Sequence, residues 1–231
     1  LISLIHLMLS FKKKLPLGNI IDKPKFNWRG MHLDCARQFH SVKQIKKLLN
    51  YMAFFKLNRF HWHLTDNEAW RLDLKCYPEL AKQSAFRGYN QMIPPLLGSG
   101  YTRYGGYYNS ADVKEIIMHA KKLNIEVMPE IELPAHSWAT IQTLPDLHDK
   151  MANLTYQDIG NYENNTINPS LKTTWKFLEK VLNEVSKIFP FSTIHIGVDE
   201  RPKNAWNGSP KIIEFMKKNK INNFDEIQDY F

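Results

Sequence analysis

The sequence predicts an α/β fold of (β/α)8 TIM-barrel type, with about the first four βα units present. Three observations predict it. Apolar, β-branched runs alternate with amphipathic helical stretches, which implies parallel strands joined by right-handed crossovers. All four strand-like runs end in polar or acidic residues: Asp34, Asp66, Glu132 and the pair Asp199-Glu200. Such strand ends form the active-site face of a barrel, or line a crevice in an open doubly wound sheet. Finally, no GxGxxG or Walker A sequence occurs. Nucleotide-binding sheets lose ground, and the barrel is preferred.

Each element has a local reason. Leu1 to Leu9 is apolar and precedes Lys12-Lys13-Lys14. A secretory leader carries its charge before the apolar part, and this stretch is too short to span a bilayer. Residues 1–20 are therefore expected to be the tail of a preceding domain or a linker helix. Residues 21–231 are expected to be the N-terminal part of the barrel, truncated after strand four and its helix. The first strand covers about Trp28 to Asp34. A helix follows, with Ser41 as N-cap, Gln44 completing a capping box, and Val42, Ile45, Leu48, Leu49 and Met52 at helical spacing. The second strand is about Arg59 to Thr65.

The stretch from Asn67 to Asn109 reads as a long loop with Pro94-Pro95 and Gly105-Gly106; loops of that length are usually functional. A helix capped by Ser110 then leads to strand three, Ile125 to Glu132. A second loop, about Ser137 to Pro169, precedes a helix from Ser170 to Phe189. Its expected buried face is Leu171, Trp175, Leu178, Leu182, Val185 and Ile188. Strand four is followed by a helix from Pro210 to about Asn219, and no further strand-like run comes before Phe231. Four units are half a barrel.

Composition excludes some classes. In 231 residues, 43% are hydrophobic and 13% aromatic, ample for a packed core and too many for disorder. The formal charge of +8 comes from lysines scattered over polar helix faces, so no nucleic-acid partner and no membrane span are expected. Cys35 and Cys76 lack CxxC spacing and read as small buried hydrophobes, neither a disulfide framework nor a zinc site. The N-x-S/T triplets at Asn153, Asn164 and Asn207 read as chance occurrences in an Asn-rich chain.

The chemistry concentrates in Thr193-Ile194-His195-Ile196-Gly197-Val198-Asp199-Glu200. A strand buried on both faces has no structural need for two acids at its end. Adjacent like charges push their pKa values apart, which lets one carboxyl stay protonated while its neighbour is ionised.

Five segments together resemble one family. Trp28-Arg29-Gly30-Met31-His32-Leu33-Asp34-Cys35-Ala36-Arg37, Phe60-His61-Trp62-His63-Leu64-Thr65-Asp66 with Trp70-Arg71, Gly105-Gly106-Tyr107-Tyr108, Pro129-Glu130-Ile131-Glu132-Leu133-Pro134-Ala135-His136, and His195 to Glu200 resemble, in order, motifs of glycoside hydrolase family 20, the β-N-acetylhexosaminidases. The resemblance implies an exo-acting, exported enzyme that needs no cofactor. It would remove terminal β-linked N-acetylglucosamine or N-acetylgalactosamine from oligosaccharides or glycoconjugates with retention. The substrate's 2-acetamido oxygen would serve as nucleophile and form an oxazolinium intermediate, an exception to the two-carboxylate scheme.

By that resemblance Glu200 is the general acid and then the base. Asp199 holds the acetamido N–H and offsets the oxazolinium charge. His136 stands near the acid, Asp66 holds His136, and Glu132 orients Asp199. Arg29 contacts sugar hydroxyls, and Trp206 is a candidate to stack on a sugar face, whereas Trp62 reads as core. Two departures are visible: Glu132 stands where Asp is commoner, and Ala135 where Gly is commoner. The family's further sugar ligands come from strands five to eight, so an inactive sugar-binding fragment is the alternative. A metal-dependent hydrolase is a third reading, with His61 and His63 as ligands beside His136, His195 and Asp199. Against it, strand parity puts His61 and His63 on one face and Asp66 on the other.

Overall fold

The computed structural model describes the whole chain except Leu1, Lys13, Leu15, Pro16, Asn153, Leu154 and Ser192. The sequon at Asn153 therefore lies outside the described residues. In chain order the elements are α1 (Ile2–Ser10), β1 (Gly30–Asp34), α2 (Val42–Phe54), β2 (Arg59–His63), β3 (Thr65–Asp66), β4 (Ala69–Trp70), α3 (Pro78–Ser84), β5 (Phe86–Arg87), β6 (Tyr104–Gly105), α4 (Ser110–Lys122), β7 (Glu126–Leu133), α5 (Trp138–Thr143), α6 (Lys172–Ile188), β8 (His195–Gly197), α7 (Pro210–Asn219) and α8 (Phe224–Gln228). No helix among the described residues is long and apolar enough to cross a membrane.

Four parallel strands form one sheet in the order β1-β2-β7-β8. Sequential order with parallel pairing is what the alternating strand–helix pattern predicts. The register sets Asp34 opposite His63, His63 opposite Glu130, and Glu130 opposite His195, so these four share one row. Two residues earlier, His32 lies opposite His61 on the adjacent row. Alternation sends Phe60 and Trp62 of β2 into the apolar core. There they join Ile45, Leu49 and Met52 of α2, Val113 and Ile116 of α4, and Phe177, Val181 and Val185 of α6.

The α2 capping box forms as predicted: Gln44 N–H donates to Ser41 Oγ, and the Ser41 backbone N–H donates to Gln44 Oε1 at 2.7 Å. At α4 the cap is Asn109, one residue earlier than predicted. Its side chain accepts from the Ala111 and Asp112 N–H groups, and Asp112 completes the box. The region read as one long loop holds β4, which pairs antiparallel with β3 just before it, α3, and the short antiparallel pair β5-β6. Buried Arg71 ties it to the strand ends, with Nε donating to the Cys35 carbonyl (2.9 Å) and Nη2 to the Ala36 carbonyl (2.8 Å). Of the expected buried face of α6, Leu171, Leu178 and Val185 are buried, but the face is shifted from the expected one. Thr174, Phe177 and Val181 are buried, while Trp175 is at the surface with its Nε1 donating to the Pro169 carbonyl.

Candidate active site

The acid pair follows β8 on a turn of unusual backbone. Gly197, Val198 and Glu200 have φ of 71°, 80° and 49°. The left-handed region is costly for a β-branched residue such as Val198, and such strain persists only when surrounding contacts fix it. Here Val198 N–H donates to the Leu133 carbonyl at 2.9 Å, and its own carbonyl accepts from Gln228 Nε2 at 2.5 Å. Gln228 also accepts from Arg201 Nε at 2.9 Å. The short helix α8, unforeseen in the sequence, thus braces the acid turn. Asp199 and Glu200 project outward, with side chains 63% and 56% exposed.

His136 comes to the pair from the turn after β7. Its Nε2 lies 3.4 Å from a Glu200 oxygen and 4.0 Å from an Asp199 oxygen. The left-handed residue of this turn is His136 itself (φ 51°), so Ala135 is free of the positive φ that would favour glycine. His136 Nδ1 lies 3.2 Å from Asp66, a charge contact too bent for an aligned hydrogen bond. Burial opposes charge on His136, but Asp66 outweighs it and raises the imidazole pKa. Beside His136 and Glu200 a cleft of about 490 Å³ opens, lined also by Asp158 and Lys203.

Glu132 sits behind the pair, almost fully buried, its carboxyl packed against the Gly197 backbone. Burial first, and then the nearby Asp199 and Glu130 charges, push its pKa up to about 10. It is therefore neutral at pH 7 and adds no negative charge beside Asp199.

A second group gathers around Glu130, as the row of residues across the sheet requires. One Glu130 oxygen lies 2.6 Å from His63 Nδ1, 2.8 Å from His61 Nε2 and 3.5 Å from His32 Nε2; the other lies 2.8 Å from His195 Nδ1. Burial alone would raise this carboxyl; contacts with His32, His61 and His63 reverse that and lower it far below the usual range. His63 Nε2 also lies 2.9 Å from Asp66. Strict alternation separates these two, but β2 ends at His63 and the chain restarts as β3 at Thr65, which brings Asp66 back to the histidine. The metal set read from sequence divides into separate groups: His61 and His195 meet Glu130, whereas His136 and Asp199 meet Glu200. Those five residues do not surround one point.

Two expected substrate contacts are not brought to the acids. Arg29 precedes β1, at the strand end opposite the acid turn. Its Nε donates to the Lys56 carbonyl (2.7 Å) and its Nη1 to the Phe26 carbonyl (2.6 Å). Trp206 is 4% exposed, stacks on Phe231, and lies 5.1 Å from the Arg201 guanidinium. Neither ring face is open to a sugar.

Sequence reasoning missed Arg37, which follows β1 at the correct end. Its guanidinium meets Asp34 (2.9 Å), Asp66 (2.8 Å) and Glu68 (2.9 Å). Strand polarity was the available signal: a side chain before a strand belongs to the far face, one after it to the site face.

Residues 26–231 match the family model for glycosyl hydrolase family 20, catalytic domain. A beta-hexosaminidase of Vibrio furnissii is 41% identical over 212 residues, which cover 91% of this chain and 35% of that protein. An N,N'-diacetylchitobiase of Vibrio harveyi is 37% identical over 217 residues, covering 80% of this chain and 25% of that protein. Among solved structures, a GH20 exo-β-N-acetylglucosaminidase from Vibrio harveyi, in complex with N-acetylglucosamine, matches with a TM-score of 0.88 at 42% identity. The match covers 92% of this chain and 33% of that one. The chain thus spans about a third of the length of the curated relatives it matches. Its fold is of (β/α)8 TIM-barrel type, with four parallel βα units present.

Proposed function

The chain belongs to glycosyl hydrolase family 20, and from that premise we propose that it carries the acid pair of an exo-acting β-N-acetylhexosaminidase. Its substrates are oligosaccharides or glycoconjugates ending in β-linked N-acetylglucosamine or N-acetylgalactosamine, cleaved with retention. The observation that carries this reading is the acid turn after β8, with His136 within 3.4 Å of Glu200 and 4.0 Å of Asp199.

The two carboxylates are neighbours in sequence and stand on one side of any substrate. They cannot flank a sugar as acid and nucleophile must in the two-carboxylate scheme. They suit a reaction in which the substrate's acetamido oxygen attacks the anomeric carbon. Asp199 accepts a hydrogen bond from the acetamido N–H, and its charge offsets the positive oxazolinium ring as it forms. Glu200 gives its proton to the departing glycosidic oxygen, then takes one from the water that opens the ring. Neutral Glu132 leaves Asp199 to carry the negative charge. The hydroxyl contact expected of Arg29 passes to Arg37, which sits at the site-side strand ends with its side chain 35% exposed. Residues 21–231 form the N-terminal part of the catalytic barrel in this reading, and residues 1–20 lead into it.

The test is Glu200→Gln in the protein that carries this chain. Cleavage of an N-acetylglucosamine disaccharide should fall about 10²–10⁴-fold, the usual worth of a general acid. The loss should be smaller for a nitrophenyl glycoside, whose leaving group needs less protonation. Unchanged disaccharide turnover would overturn the assignment.

A further inference from the structure

We propose that Glu130 and His63 are positioning residues for this reaction: they extend the Asp66–His136 pair into one alternating chain, Glu130–His63–Asp66–His136–Glu200, that sets the charge His136 presents to Glu200. The proposal rests on the reading of Glu200 as the acid. Its geometry is independent of that reading.

The two links at His63 are hydrogen bonds, the two at His136 are charge contacts, and the chain is buried up to its last member. Glu130 lies 2.6 Å from His63 Nδ1, His63 Nε2 2.9 Å from Asp66 Oδ2, Asp66 Oδ1 3.2 Å from His136 Nδ1, and His136 Nε2 3.4 Å from Glu200. Both nitrogens of His63 therefore face carboxylates. A neutral imidazole can donate from only one, so this arrangement requires the doubly protonated ring. Burial disfavours that charge, but the bonds to Asp66 and Glu130 prevail and raise the His63 pKa to about 10.

The consequence passes through Asp66. This carboxylate meets three cationic groups: Arg37, His63 and His136. A fixed positive charge on His63 reduces the hold of Asp66 on the His136 proton. That reduction matters at the far end. A permanently charged His136 beside Glu200 would favour its ionised form, and an ionised carboxylate cannot act as an acid. The remaining charged groups around His136 are Arg37 after β1, whose positive charge opposes its protonation, and Asp199 and Glu200 from the β8 turn. Around His63 they are Asp34 at the end of β1, Glu132 on β7 and the His32 ring.

Histidine NMR titration of 15N-labelled protein tests the chain directly. In unaltered protein His63 should carry protons on both ring nitrogens throughout pH 5–9. A neutral His63 at pH 7 would overturn the proposal without any variant. In Glu130→Gln the His63 pKa should fall, and His136 should move the other way, upward by about half a pH unit, or roughly threefold in proton affinity. His63→Gln, which puts an uncharged amide in place of the imidazolium, should raise His136 similarly. His32→Gln removes only a partner 3.5 Å from Glu130 and should leave His136 in place. A merely structural role does not move two imidazoles in opposite directions. An unmoved or falling His136 in either folded variant overturns the chain.

In activity assays of Glu130→Gln, the alkaline limb of kcat/KM should shift to lower pH, because Glu200 loses its proton sooner beside a more persistent imidazolium. If His136 moves as stated while that limb does not, the chain stands and the assignment of Glu200 as acid fails.

Discussion

Glu132 is a buried acid kept at a cost that depends on pH. In the folded protein its carboxyl holds a proton up to about pH 10. In the unfolded chain it loses that proton near pH 4.5, the ordinary value for Glu. Between these values the folded state binds more protons than the unfolded one, so stability falls as pH rises through that window. Glu132→Gln removes the titration while keeping the shape. It is expected to raise Tm by about 4 °C at pH 8, and by less at pH 5. Thermal melts at the two pH values check this; an equal or negative change at pH 8 would place the unfavourable group elsewhere. The same variant removes an acid from behind Asp199, so a stability gain with impaired turnover would show a buried group retained for the reaction rather than for the fold.

The β7–β8 junction explains how elements position the site, and how much of it was legible. Gly197 has φ of 71°, and a Cβ there would collide with the Glu132 carboxyl. Gly197→Ala therefore strains the left-handed backbone of the turn that carries Asp199 and Glu200 and forces the Glu132 carboxyl aside. A displacement near 1 Å at reacting groups costs on the order of 10² in rate. The variant should lose about that much in kcat/KM while its circular dichroism stays that of a folded protein. Full activity would mean that the turn tolerates repacking. From sequence, the apolar run, the glycine and the acid pair were all readable, because strand ends and glycine breaks are local signals. The Ser41-Gln44 box was readable for the same reason. The rest needed tertiary information. The α6 face turned because Trp175 reaches the Pro169 carbonyl and packs on Tyr230 and Phe231. The Glu130 cluster depends on the register of four strands, which no single strand encodes. Arg29 and Arg37 occupy opposite ends of one strand, and residue type alone does not tell them apart.

At the scale of the whole molecule, the sheet formed by the described residues has two edges, β1 and β8, each bonded on one side only. The acid pair proposed to carry the chemistry follows β8, at one of these edges. Asp199 and Glu200 are more than half exposed, and His195 and His32 are 42% and 49% exposed around an otherwise buried Glu130. Preorganised charges lower a barrier most when water is excluded, because in water the same charges are screened and must reorganise during the reaction. The curated relatives are about three times as long as the matched stretch, and a (β/α)8 barrel closes its site with loops from all eight units. The 231 residues as a separate polypeptide are therefore expected to turn over nitrophenyl N-acetylglucosaminide undetectably, even with both acids in place. The measurement is an assay of this polypeptide beside a full-length relative at equal concentration, with circular dichroism to establish that the polypeptide is folded. Turnover by the folded polypeptide within tenfold of the relative would mean that four βα units build a working pocket by themselves, and that neither the open edges nor the exposed acids limit the reaction.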